Sequence, residues 1–121
     1  MSLEYTVEHR AAYSVVRLAG EPTLGEFVAF IQRLGTESAR WPNSRALFDL
    51  REIHTLTTFT EHYAIGQEVG RELRHMKRMA SLVPPDRITR ASEKTARQAG
   101  VTLTVFTNEQ EALAWLASDA P

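Results

Sequence analysis

Ala46-Leu47-Phe48-Asp49-Leu50 decides how this chain folds. Three consecutive apolar residues leave no alternate position for water, so they read as a short strand buried on both faces and ended by Asp49. Such strands belong to parallel sheets, whose neighbours are reached by a long crossover, usually a helix. The flanks agree. Upstream, Gly20-Glu21-Pro22 breaks the chain, and Thr23 with Glu26 three residues later forms a capping-box signature. Behind it Leu24, Phe27, Val28, Ile31 and Leu34 recur at helical spacing, a one-sided apolar stripe running to about Ala39 before the turn Trp41-Pro42-Asn43. Downstream, a polar loop from Leu50 to about Thr57 leads into a helix from Thr58 to roughly His75. Its core face reads as Phe59, Tyr63, Gly66, Val69 or Gly70, and Leu73.

Farther out, Leu3, Tyr5 and Val7 alternate with Glu4 and Thr6, a period of two that suits a strand with one wet face. Ser14 to Leu18 is a second strand, and His9-Arg10-Ala11-Ala12 is short enough to join the two as an antiparallel hairpin. Toward the other end, Met76, Met79, Ala80, Leu82 and Val83 make a strand interrupted by Lys77-Arg78. Pro84-Pro85-Asp86 stops it and opens a mostly polar helix to Ala99, since proline's missing N–H is not needed in a first turn. The inner face of that helix is Ile88, Ala91 or Ser92, Thr95 and Ala99, with Asp86–Arg90 and Glu93–Arg97 as i,i+4 pairs. Gly100 stands where a left-handed cap is wanted. Val101, Leu103 and Val105-Phe106 form the last strand, and Asn108 with Glu111 caps a final helix that docks Ala112, Leu113, Trp115 and Leu116.

The order β-β-α-β-α-β-α-β-α predicts a single-domain α/β protein: a mixed, mostly parallel five-stranded sheet, four helices on its faces, the first strand an antiparallel edge. A length of 121 residues is one domain's worth of chain, and no repeat or linker divides it. With 43% hydrophobic and 24% charged residues the chain can bury a core. The absence of cysteine excludes a disulfide framework, a thiolate metal site and a cysteine nucleophile, and suits the cytoplasm. Fourteen Lys and Arg against fifteen Asp and Glu argue against nucleic acid as a partner. No apolar run approaches the ~20 residues of a membrane span, and Met1-Ser2-Leu3-Glu4 lacks a signal-peptide profile.

The ladder of elements, the strand end Leu47-Phe48-Asp49-Leu50 and the closing run from Val105 through Asn108 and Glu111-Ala112-Leu113-Ala114-Trp115-Leu116 resemble the SpoIIAA-like branch of the STAS superfamily, over nearly the whole chain. The resemblance implies a small α/β sandwich used for regulation or ligand binding, without chemistry of its own. Domains of the anti-sigma-factor-antagonist type bind a partner kinase and are switched by phosphorylation of a serine in an Asp-Ser-Ser-Gly segment at the start of a helix. The corresponding stretch here is Leu56-Thr57-Thr58-Phe59, which has neither the serine nor the glycine. The SpoIIAA-like branch also resembles the lipid-binding Sec14 type of fold, which implies a small amphiphilic ligand as a second possibility.

Ligands of open α/β sheets sit beyond the carboxyl ends of the parallel strands. That rule singles out the loop after Asp49, with Asp49, Arg51, His54, Thr57, Thr58 and Thr60 as a partner- or anion-binding set. The free N–H groups of the following helix favour an anion or a modified hydroxyl there. The competing reading is structural: Thr57 or Thr58 caps the helix with Glu61. Asp49 has no neighbouring carboxylate for paired acid–base work. The four histidines, His9, His54, His62 and His75, show no metal-ligand spacing, and no Gly-x-Ser-x-Gly elbow exists. No catalytic residue, metal or cofactor is therefore expected. Arg71, Arg74, Lys77 and Arg78 form a candidate basic patch for a phosphate or an acidic partner, or a solvated helix end. Gly66 and Gly70 inside a helix ask for close packing against the sheet or a second copy, so a homodimer enters the expectations. The leading expectation is a non-enzymatic regulatory domain that binds a protein partner, a regulator or kinase. The alternative is a carrier or sensor of a small amphiphilic ligand held between the third helix and the sheet.

Overall fold

The computed structural model describes residues 3–87 and 91–119. Five strands, β1 (Leu3–His9), β2 (Ser14–Gly20), β3 (Arg45–Ile53), β4 (Arg78–Leu82) and β5 (Leu103–Phe106), lie side by side in chain order. β1 pairs antiparallel with β2, and the rest of the sheet is parallel. The helices are α1 (Leu24–Ser38), α2 (Phe59–Glu72), α3 (Ala91–Gln98) and α4 (Glu109–Ala117), with a short 3-10 turn at Pro85–Arg87. The expected order and mixed sheet are both realised.

Strand order explains where the helices go. The parallel strands advance across the sheet in one direction, and right-handed crossovers then put every connecting helix on the same face. Accordingly α1, α2 and α3 pack in a row over one face, around Val16, Leu18, Phe27, Phe30, Ile31, Leu34, Phe48 and Met79. α4 follows the last strand and needs no crossover, so it alone covers the other face, where Ala112 and Leu116 meet Val15, Leu47, Ala80 and Leu82. The Ala46-Leu47-Phe48 run is buried on both sides because Leu47 faces α4 while Ala46 and Phe48 face α1 to α3.

Several boundaries differ from expectation, each for a local reason. β3 runs four residues past Asp49 to Ile53, so the loop before α2 is only 54–58. β4 starts at Arg78 and is not interrupted by it. The Arg78 guanidinium lies 4.3 Å from the Trp115 ring centroid and donates to the Trp115 carbonyl at 2.9 Å, which lets a charge stay buried. Of the helix expected from Pro84, the described residues show a 3-10 turn at Pro85–Arg87 and α3 at Ala91–Gln98. Ile88 and the Asp86–Arg90 pair lie outside the described residues, as does the Ser92 side chain, whereas Glu93 and Arg97 do approach to 3.8 Å. Gly70 has its reason inside the chain, since a Cβ there would fall 2.3 Å from that of Ala99. Gly100 adopts φ +99, the left-handed cap expected of it.

Candidate functional site

The sheet separates the residues that the sequence grouped after Asp49. Asp49 and Arg51 point to the α4 side. Asp49 is buried and accepts from Arg17 Nη1 at 2.6 Å, from Arg51 Nε and Nη2 at 3.0 and 2.9 Å, and from the Arg51 backbone N–H at 3.2 Å. Glu109, in the first turn of α4, closes the ring by accepting from Arg17 at 3.2 Å and Arg51 at 3.0 Å. Burial alone would raise the Asp49 pKa, but the hydrogen bonds from Arg51 and Arg17 outweigh it and hold the carboxyl below its ordinary value. Glu109 is lowered chiefly by its hydrogen bond to Arg17. With every Asp49 oxygen occupied by an arginine, the cluster is an ion-pair clamp between the sheet and α4.

The opposite end of α4 is held in the same way. Arg45 donates to the Leu116 and Ser118 carbonyls at 2.6 and 2.8 Å, beside the Arg78–Trp115 contact. Cations at a helix C-terminus and an acid at its N-terminus both match the helix dipole. Sequence reading missed Arg17, Arg45 and Glu109 because their partners are far away in the chain. It also grouped Arg71, Arg74, Lys77 and Arg78 as one patch, and the structure disperses them. Arg71 pairs with Glu68, Arg74 donates to the Ala99 carbonyl, Lys77 lies 3.7 Å from Asp119, and Arg78 is buried against α4.

Thr57, Thr58 and Thr60 emerge on the α1–α3 side, on the loop and first turn of α2. Three ties shape this loop: the His54 N–H to the Gly20 carbonyl at 3.0 Å, Thr55 Oγ1 to the Pro22 carbonyl at 2.6 Å, and the His62 ring to the Leu56 carbonyl at 2.6 Å. Between them Leu56 is buried at φ 63, a left-handed conformation that costs a non-glycine residue roughly 1–2 kcal/mol. Thr58 caps α2: its Oγ1 accepts from the Glu61 N–H at 3.2 Å, and Glu61 accepts from the Thr58 N–H at 3.1 Å. Its hydrogen bond to Thr58 Oγ1, at 2.8 Å, holds the Glu61 carboxyl below its ordinary value. The neighbouring Thr57 and Thr60 are exposed, as is His54, 3.7 Å from Glu52.

Phe59 and Tyr63 correct the core face expected of α2. They stack on each other at 6.5 Å and stand 70% and 45% exposed, the large apolar side chains most open to water among the described residues. Their helical spacing made them look like core. α2 instead buries Gly66, Glu68 and Gly70 farther along, with Leu73 at its C-cap. Beneath α1 and α2 lies an apolar cavity of about 50 Å³, walled by residues such as Phe27, Leu34, Val69 and Met79, with Ser81 its single polar lining residue. A second hollow, about 300 Å³, opens at the far end of the sheet around Trp41, Asn43 and a Ser38–His75 hydrogen bond of 2.7 Å. No carboxylate among the described residues bonds His75, so the serine and histidine do not make a catalytic triad.

The sequence matches the SpoIIAA-like family over residues 14–117. The chain belongs to that family. Two solved structures share its SpoIIAA-like architecture. An anti-sigma factor antagonist from Mycobacterium paratuberculosis superposes with a TM-score of 0.62 at 20% identity, covering 97% of this chain and 96% of its own. An uncharacterized protein with a SpoIIAA-like fold from Shewanella loihica superposes with a TM-score of 0.52 at 22% identity, covering 95% of this chain and 93% of its own. No curated protein matches the sequence. Among the described residues no helix of this SpoIIAA-like domain is long and apolar enough to cross a membrane, and no group of acidic and histidine side chains is placed to hold a metal ion.

Proposed function

We propose that this SpoIIAA-like domain is a non-enzymatic regulatory module that docks a protein partner, a regulator or a kinase, on loop 54–58 and the first turn of α2. One observation carries the reading: the stacked, exposed Phe59 and Tyr63 beside the exposed hydroxyls of Thr57 and Thr60. Aromatic side chains left in water next to polar groups are the usual make-up of an interface centre. The strained, three-point-tied loop supports it, because a pre-shaped loop loses little entropy on binding. The fold it shares with an anti-sigma factor antagonist agrees with such a role. Asp49 and Arg51 contribute at a distance, by fixing the strand from which the loop leaves.

A hydroxyl switch, if the partner is a kinase, falls to Thr57. Its hydroxyl has no partner among the described residues, whereas a phosphate on Thr58 would destroy the cap and face the Glu61 carboxylate. The alternative role, a carrier or sensor of a small amphiphilic ligand, has the cavity beneath α1 and α2 as its support. At about 50 Å³ that cavity is well short of the ~300 Å³ at which ligand pockets begin, so this reading ranks second.

The test is photo-crosslinking in cells from benzoylphenylalanine placed at Tyr63, with the same label at Glu37 on α1 as control. The expected result is one discrete protein adduct from Tyr63, none from Glu37, and loss of the adduct with Phe59→Ser. Identical adducts from both positions, or an adduct indifferent to Phe59→Ser, would remove the α2 end as the docking surface.

A further inference from the structure

The two edges of the sheet are finished differently. Along β5, side chains of α3 occupy outward-facing backbone groups: Arg97 Nε donates to the Leu103 carbonyl at 2.7 Å, and the Val105 N–H donates to Glu93 at 2.9 Å. Arg97 also reaches Thr104 Oγ1. α3 therefore closes a strand of four residues. β1 has seven, and among the described residues no side chain bonds the backbone of Leu3–His9. In an antiparallel pair every second residue turns both its N–H and its C=O away from the neighbouring strand. β1 is thus an open template for one more strand, on a protein that has covered its other edge.

The side chains say what such a strand would be. On the α1 side Leu3, Tyr5 and Val7 form an apolar row; Tyr5 and Val7 are half-buried, and Tyr5 meets Phe30 edge-on at 4.8 Å. The other side carries Glu4, Thr6 and Glu8, all exposed. Glu4 has no ion-pair partner among the described residues, and Glu8 holds only the exposed Arg10. A second copy of the chain fits poorly. Pairing the full length of one β1 antiparallel to another sets Glu4 against Glu8 twice, and directly opposed like charges are destabilising.

We propose that β1 receives an extended segment of a protein partner in which apolar residues alternate with lysine or arginine. The apolar side chains extend the Leu3–Tyr5–Val7 row, the cations face Glu4 and Glu8, and the backbone adds a sixth strand. This surface lies on the opposite flank of α1 from α2, so it is additional to docking at Phe59 and Tyr63, and each can fail without the other.

The experiment uses the whole chain and a peptide as long as β1 that alternates lysine and valine, read by titration and by amide hydrogen exchange. Protection of Leu3–His9 is expected, with no change in the first turn of α2. A peptide alternating glutamate and valine should bind roughly tenfold more weakly or worse, about 1.4 kcal/mol. The lysine peptide with every second backbone nitrogen methylated, which leaves the protein untouched, should lose its affinity. Glu4→Lys with Glu8→Lys should reverse the preference between the two charged peptides. Equal binding of both, protection away from β1, or indifference to methylation overturns the proposal. Concentration-dependent protection of β1 in the chain alone, with a dimer mass, would assign the edge to a second copy and overturn it as well.

Discussion

Arg17 on β2 and Glu109 at the head of α4, 92 positions apart, meet at 3.2 Å over the buried carboxylate of Asp49. Through that contact, and through Arg45 and Arg78 at the other end of the helix, the sheet holds by its arginines a helix whose apolar contact with it is small. The arrangement makes α4 sensitive to charge where α1 and α2, held by a large apolar core, are not.

Acid should therefore loosen α4 first. Asp49 and Glu109 both have folded pKa values below their unfolded ones, so their contribution is present above the unfolded carboxylate range near ~4 and is lost as pH falls through the depressed folded values. Stability followed by urea titration between pH 7 and 3 should fall, with Trp115 fluorescence changing early. Asp49→Asn should flatten that pH dependence and cost about 1–3 kcal/mol at pH 7, toward the lower figure because Arg17 and Arg51 are partly exposed and screened. An unchanged pH profile in Asp49→Asn would show that the clamp contributes nothing.

Gly70→Ala should destabilise the protein although alanine is the better helix former by ~1 kcal/mol. The new Cβ would meet that of Ala99 at 2.3 Å, and separating α2 from α3 is expected to cost about 1–3 kcal/mol, more than the helix gains. Gly70→Ala combined with Ala99→Gly should recover part of the loss in thermal melts.

Ser81→Ala should stabilise or leave stability unchanged, by up to about 1 kcal/mol, since its hydroxyl is buried against an apolar cavity and has no hydrogen-bond partner among the described residues. A clear loss of stability would mean that the hydroxyl is bonded in solution, which water or a small molecule in the cavity would explain.

The two threonines before α2 should separate cleanly. Thr58→Ala removes a capping box and is expected to lower stability by roughly 1 kcal/mol, while Thr57→Ala should stay within about 0.5 kcal/mol. Phe59→Ser should also be near neutral for the free chain, because a side chain already 70% exposed gives up little on removal.

Local signals located most elements of this SpoIIAA-like fold in the sequence. Thr23 with Glu26, Thr58 with Glu61, Asn108 and Gly100 act on neighbouring backbone, so their meaning survives without knowledge of the rest of the chain. The candidate site was legible only in part. The loop after β3 was found, but Asp49 and Arg51 proved to face α4 while the chain leaves β3 on the other side. The reason is that β3 continues to Ile53 and its register with β2 shifts after Asp49, so that Ile53 packs into the α1–α3 core.

What the amino-acid order by itself determined is the succession of strands and helices, through hydrophobic period, caps and breakers that act over a few residues. What only the tertiary structure decided is which apolar and charged residues stay in water. Phe59 and Tyr63 have core-like spacing and are exposed, while Arg78 puts a charge at the head of an apolar strand and is buried. Burial depends on what another part of the chain brings alongside: Trp115 arrives to cover Arg78, and among the described residues no element covers the first turn of α2.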